Sequence, residues 1–162
     1  MNYLDYAATT PVNAEVLEVI TKEMASFGNP SSVYRIGREQ KQKIERVKKA
    51  ILSELQASPH DAIIFTSSGS EGNNLVFESI WEHFAKEKGH IIVSAVEHPS
   101  VRKPAEFLEQ EGFEVTYLAP NKDGIVTVSE IEEALREDTR LVSVMTVNNE
   151  TGARFPIEEI AA

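Results

Sequence analysis

Ile91-Ile92-Val93-Ser94-Ala95-Val96-Glu97-His98-Pro99-Ser100 decides the fold. Its first four residues are a short, largely β-branched apolar run, the pattern of a strand buried on both faces in a parallel sheet. Pro99 and the apolar positions after it open a helix to about residue 111, Gly112 caps it, and Glu114 to Leu118 reads as the next strand. Strand, helix and strand at this spacing form a βαβ unit, whose right-handed crossover lays the helix on the sheet.

The pattern repeats outward from this unit. Upstream, Ala62-Ile63-Ile64-Phe65-Thr66 reads as a strand, followed by a Ser/Gly loop and a helix from about 71 to 87. Downstream, Val128 to Arg136 is a short helix and Leu141-Val142-Ser143-Val144-Met145 is a fourth strand. Two helices precede the sheet. One spans 14–27, with Val16, Ile20, Met24 and Phe27 at helical spacing and Gly28-Asn29-Pro30 as its stop. The other spans about 37–56 on the stripe Ile44, Val47, Ile51, Leu55. The expected architecture is α/β: a mainly parallel sheet with helices on both faces. An N-terminal arm and helix (1–36) precede an incomplete sheet domain (37–162). Ile157 to Ala162 begins a helix that has no cap, so the reading expects a truncated chain or one that needs a partner to complete the sheet.

Composition narrows the function classes. Apolar residues at 41% and charged residues at 26% suit a globular chain near the size of one domain. The net charge of −10 and the lack of a basic patch speak against a nucleic-acid or anionic-membrane partner; Arg35 to Lys49 is interleaved with Glu39 and Glu45 and reads as a solvated helix face. No apolar run approaches the ~20 residues of a membrane span, and Met1 to Thr10 lacks the layout of a secretory signal, so the cytoplasm is expected. Without cysteine, this stretch holds no disulfide, no cysteine-ligated zinc and no thiolate nucleophile.

Three polar segments follow three of the strands. Thr66-Ser67-Ser68-Gly69-Ser70-Glu71-Gly72-Asn73-Asn74 runs from a strand into a helix. Its small residues and free helix N–H groups suit a phosphate, and they equally suit a plain Ser-capped turn. It is neither a Walker A loop nor G-x-G-x-x-G. His98 follows the second strand as a ligand-facing imidazole or as the cap of the next helix. Asn148-Asn149-Glu150-Thr151-Gly152 follows the fourth as a pair of ligand amides or as turn chemistry. All three fall at the carboxyl ends of parallel strands, where open α/β sheets bind ligands.

These segments carry a resemblance. Tyr3 to Pro11, Gly28-Asn29-Pro30-Ser31-Ser32, Phe65 to Asn74, Ala95-Val96-Glu97-His98-Pro99 and Val147 to Gly152 together resemble the cysteine desulfurases, within the class V aminotransferases of pyridoxal 5'-phosphate (PLP) fold type I. The resemblance covers the whole chain and implies that residues 37–162 belong to a PLP-binding large domain. It implies that Gly69 and Ser70 hold the cofactor phosphate, through backbone N–H and the serine hydroxyl. His98, the catalytic candidate, stacks on the pyridine ring and relays a proton. Asn149 hydrogen-bonds the phenolic oxygen and orients the substrate carboxylate, and Ala8, Thr9 and Thr10 lie near the mouth. No metal is implied.

The sequence departs from the family at Tyr34, where histidine is common, at Ser70, where threonine is common, and at Ala153-Arg154-Phe155, where glutamine often stands. It also lacks the family's Ser-Gly-His-Lys segment with the Schiff-base lysine, the aspartate for the pyridine nitrogen, and the cysteine nucleophile. The implied parent is a homodimer that takes sulfur from L-cysteine, giving L-alanine and an enzyme persulfide, and hands it to a sulfur-acceptor protein for iron–sulfur cluster assembly or tRNA thiolation. The 162 residues alone are expected to be inactive. Selenocysteine lyase is a close relative of that reading. A non-catalytic remnant or assembly module that pairs with a second chain is the alternative of another class, and an unrelated phosphate-binding α/β domain is a third.

Overall fold

A computed structural model describes residues 2–58 and 60–161. The chain divides between Phe65 and Thr66 into two compact units.

The first unit is built on α1 (Ala14–Met24) and α2 (Arg35–Glu54). Asn13 caps α1, its side-chain oxygen accepting the Glu15 N–H at 2.8 Å. The turn between the helices lies tight against the start of α2. A Cβ on Gly37 would stand 2.5 Å from the Asn29 carbonyl oxygen, and one on Gly28, at φ 152°, would stand 2.7 Å from the Ile36 side chain. Lys43 secures the pair by donating to Glu23 at 2.6 Å and to Ser26 Oγ at 3.0 Å. The stripe of α1 is amphipathic as expected, yet none of its residues is buried among the described residues.

The second unit holds the sheet. β1 (His90–Ser94) is central, flanked by β2 (Glu114–Leu118) and β3 (Thr139–Ser143), and both pairings are parallel. α3 (Gly69–Phe84) and α4 (Pro99–Gln110) cover one face, where Ile91 and Val93 pack with Phe77, Val101, Ala105 and Leu108. α5 (Val128–Ala134) and α6 (Ile157–Ile160) form the other layer, where Val126, Ile131 and Phe155 gather Leu118, Val142 and Val144. All five residues of β1 are buried, as an apolar strand in a two-faced sheet must be. His90, at its head, is 1% exposed and reaches Thr139 Oγ1 at 2.9 Å through Nδ1 and Thr116 Oγ1 at 2.8 Å through Nε2, so one ring ties the three strands.

The α/β architecture with helices on both faces is as the sequence predicts, with one correction. Ala62 to Thr66 forms no strand: it pairs with no described residue, and Ile64 and Phe65 are 71% and 55% exposed. Apolar character is necessary for a buried strand but insufficient, because each N–H and C=O needs a neighbour to complete the ladder. Smaller differences bear on the site. α3 begins at Gly69 rather than 71, which brings Gly69 and Ser70 into its first turn, and β3 stops at Ser143 rather than 145.

Candidate functional site

The strand order β2-β1-β3 creates a switch point. From β1 the chain crosses to β2 on one side, then passes back over to β3 on the other, so a crevice opens beyond the carboxyl ends of β1 and β3. A cavity of about 590 Å³ occupies that place. Ser68, Gly69 and Ser70 line it from α3, His98 and Ser100 from the start of α4, and Thr146 and Asn149 from the segment after β3. Gly69, Ser70, His98 and Asn149 therefore border one cavity.

The α3 end of this cavity is prepared for an anion. Ser68 caps the helix, its Oγ accepting the Glu71 N–H at 3.2 Å. Glu71 in turn accepts the Ser67 N–H, and the Ser67 hydroxyl together with that N–H holds its carboxyl below the usual range. The N–H groups of Gly69 and Ser70 meet no partner among the described residues. A Cβ on Gly69 would meet nothing within 4 Å, so a ligand can approach the backbone there. Two free first-turn N–H groups, a hydroxyl and the positive end of a sixteen-residue helix suit a phosphate.

His98 is the N-cap of α4, one of the two readings the sequence left open, and it also borders the cavity. Its Nδ1 accepts the Ser100 N–H at 3.1 Å and lies 2.8 Å from Ser100 Oγ. That oxygen receives Asn73 Nδ2 of α3 at 2.9 Å. Glu97, just before it, accepts the Met145 N–H at 2.6 Å and so fastens the loop after β1 to the segment after β3. Burial pushes the Glu97 carboxyl up, against the lowering effect of that bond.

The two asparagines differ in setting. Asn148 is 7% exposed and organises the turn: its Oδ1 accepts the Glu150 and Thr151 N–H groups at 2.9 Å each, and its Nδ2 donates to the Val96 carbonyl at 3.3 Å. Gly152, at φ 74°, closes this turn as its N–H meets the Asn148 carbonyl at 2.9 Å. Asn149 is exposed, donates to Glu150 at 2.9 Å and borders the cavity. Sequence reasoning missed Asn73, Ser100 and Glu97. The offset from His98 to Ser100 is a usable signal for a cap, whereas the Asn73 and Met145 contacts come only from helix and strand packing.

These groups fit PLP. The free N–H groups and the Ser70 hydroxyl could hold its phosphate, and the His98 imidazole and the Asn149 amide border the same cavity.

Comparison with known proteins agrees with this layout. The family model for aminotransferase class-V matches residues 2–162. Cysteine desulfurase IscS of Dictyoglomus turgidum is 44% identical over 160 residues, covering 98% of this chain and 40% of that protein. The mitochondrial cysteine desulfurase of Eremothecium gossypii is 41% identical over 162 residues, covering 99% of this chain and 33% of that protein. A solved structure described as SspA in complex with cysteine superposes with a TM-score of 0.92 at 40% identity, over 99% of this chain and 46% of that one. The chain thus spans 40% or less of the length of these two curated relatives. With a switch-point crevice, a helix end suited to phosphate and a family match along nearly its whole length, this chain belongs to the class-V aminotransferases, and the curated relatives it resembles are cysteine desulfurases.

Proposed function

We propose that these residues supply one wall of the active site of a PLP-dependent cysteine desulfurase. The supporting observation is the single cavity in which Gly69, Ser70, His98 and Asn149 meet beyond β1 and β3. Gly69 and Ser70 hold the phosphate, His98 packs on the ring face, and Asn149 turns its amide toward the phenolic oxygen and the substrate carboxylate. When bound, PLP supplies the electron sink that lets the Cβ–S bond of L-cysteine break. In the net reaction a cysteine thiolate of the enzyme takes the substrate sulfur, forming an S–S bond, while a proton replaces sulfur on Cβ to give L-alanine.

The thiolate and the Schiff-base lysine are not in these 162 residues, which have no cysteine and no Ser-Gly-His-Lys segment. A chain of these residues alone is therefore inactive. The parent is a homodimer that passes its persulfide sulfur to an acceptor protein in the cytoplasm, and L-cysteine is preferred as substrate because the structural relative is described with cysteine bound. No described helix is long and apolar enough to cross a membrane.

The test is to isolate the native protein from its source, reduce it with borohydride and take its intact mass. A mass well above 18.0 kDa that includes a reduced PLP adduct supports the reading. An unmodified 18.0 kDa product, inactive even beside candidate partner chains, supports a non-catalytic module instead. Desulfuration by purified residues 1–162 alone would overturn the division of labour set out above.

A further inference from the structure

We propose that Asn73 and Ser100 are positioning residues that fix His98 in the tautomer with its proton on Nε2, so that the neutral ring offers the crevice a hydrogen-bond donor and no lone pair. The functional meaning rests on the preceding reading of His98; the structural claim does not.

Two independent constraints meet at Nδ1. The Ser100 backbone N–H points at it from 3.1 Å, and a backbone N–H can only donate. A proton on Nδ1 would set two hydrogens against each other and remove the cap of α4. The second constraint arrives from another helix. Asn73 Nδ2 of α3 donates to Ser100 Oγ at 2.9 Å. With an acceptor site of that oxygen taken, its hydrogen is free to point at Nδ1, 2.8 Å away. The chain runs in one direction, from the Asn73 amide through the Ser100 hydroxyl to the His98 lone pair. The neutral ring then carries its proton on Nε2, which meets no partner among the described residues.

The consequence concerns chemistry at the crevice. A histidine that abstracts a proton needs a lone pair facing the substrate. Here the lone pair is turned into the first turn of α4 and saturated by two donors. Neutral His98 therefore orients an acceptor atom of the substrate and does not act as the first base; proton abstraction falls to another residue. The arrangement also joins the two sides of the cavity, because the helix that offers its N-terminus to the phosphate also sets the tautomer at the ring.

The test is nitrogen NMR of 15N-histidine-labelled intact protein near neutral pH, with His98 assigned by the signals lost in His98→Gln. The expected result is a pyridine-type resonance for Nδ1 and a pyrrole-type resonance for Nε2. In Asn73→Asp the carboxylate takes the serine hydrogen, the chain reverses, and the Nδ1 resonance moves toward the pyrrole type. Ser100→Ala gives a smaller move in the same direction, because it removes one donor to Nδ1 without leaving a hydroxyl oxygen to accept from it, and Ser100→Thr restores the wild-type shifts. If Asn73→Asp fails to fold, the alanine and threonine variants decide. A pyrrole-type Nδ1 in the wild type overturns the proposal, as do ring shifts indifferent to all three variants. PLP binding, read separately by absorbance, tests the functional reading: a protein that binds no PLP but shows the expected shifts keeps this assignment and loses that function, and the opposite pair of results does the reverse.

Discussion

Gly37 and Glu97 show how a single residue carries more than its type suggests. Alanine is favoured over glycine inside a helix by roughly 1 kcal/mol, yet Gly37→Ala in α2 is expected to destabilise the chain. Its new methyl would stand 2.5 Å from the Asn29 carbonyl oxygen and 2.7 Å from the Ser32 side chain. Overpacking of this kind costs about 1–3 kcal/mol, to be read as a lowered urea midpoint. Glu97 is raised by burial above its ordinary value of 4.5. A raised carboxyl binds its proton more tightly when folded, so folding is favoured at low pH and loses ground as pH climbs through the folded value. Glu97→Gln removes that ionisation and leaves an oxygen that can accept the Met145 N–H. The variant is expected to be more stable than the wild type at neutral pH, with the gap closing on acidification in paired denaturant titrations. The segments that hold Gly69, Ser70, His98 and Asn149 were legible because strand ends and helix starts mark where a parallel sheet binds ligands, whereas the choice of those residues within them rested on the family resemblance. The division of labour between Asn148 and Asn149 was not legible, since two adjacent identical amides differ only in which one the turn buries.

At the scale of elements, β1 shows what a short apolar run can and cannot say. Its four apolar or small residues gave the strand, and the helix–Gly–strand rhythm gave its parallel partner β2. The same rule failed at Ala62 to Thr66, because a strand is defined by its neighbours as much as by its own residues. His90 lay just outside the expected strand, and nothing in the pattern announces that it stitches Thr116 and Thr139 together. Burial lowers its pKa from 6.5, assisted by Arg136 and opposed by Asp138 and Glu114. The unfolded chain therefore takes a proton that the folded chain resists, and stability falls as pH drops below 6.5 toward the folded value, at up to about 1.4 kcal/mol per pH unit. Glu114 and Asp138, held low by Arg136, contribute only in the more acidic carboxylate range. A sheet carrying His90→Asn is expected to lose the slope just below pH 6.5 while keeping the acid limb, which circular dichroism melts over a pH series will read.

For the whole molecule, the described residues fall into two units that meet in sequence at Phe65 and Thr66. Phe65 is 55% exposed and lies in no ladder, the condition under which a backbone enters a protease cleft. Chymotrypsin is expected to cut the 162-residue chain after Phe65 before it cuts within β1, β2 or β3; first cuts inside the sheet, mapped by mass spectrometry, would count against two separable units. The strand order carries one more consequence, for synthesis on the ribosome. β1 and β2 emerge first and can pair at once, but the other edge of β1 waits for Thr139, forty-nine residues beyond its register partner His90. Non-local parallel pairing is slow because a long loop must close before any bond rewards it. The histidine side of the crevice is thus translated, and able to fold, before the asparagine side exists. This wall of the crevice comes together only when β3 arrives.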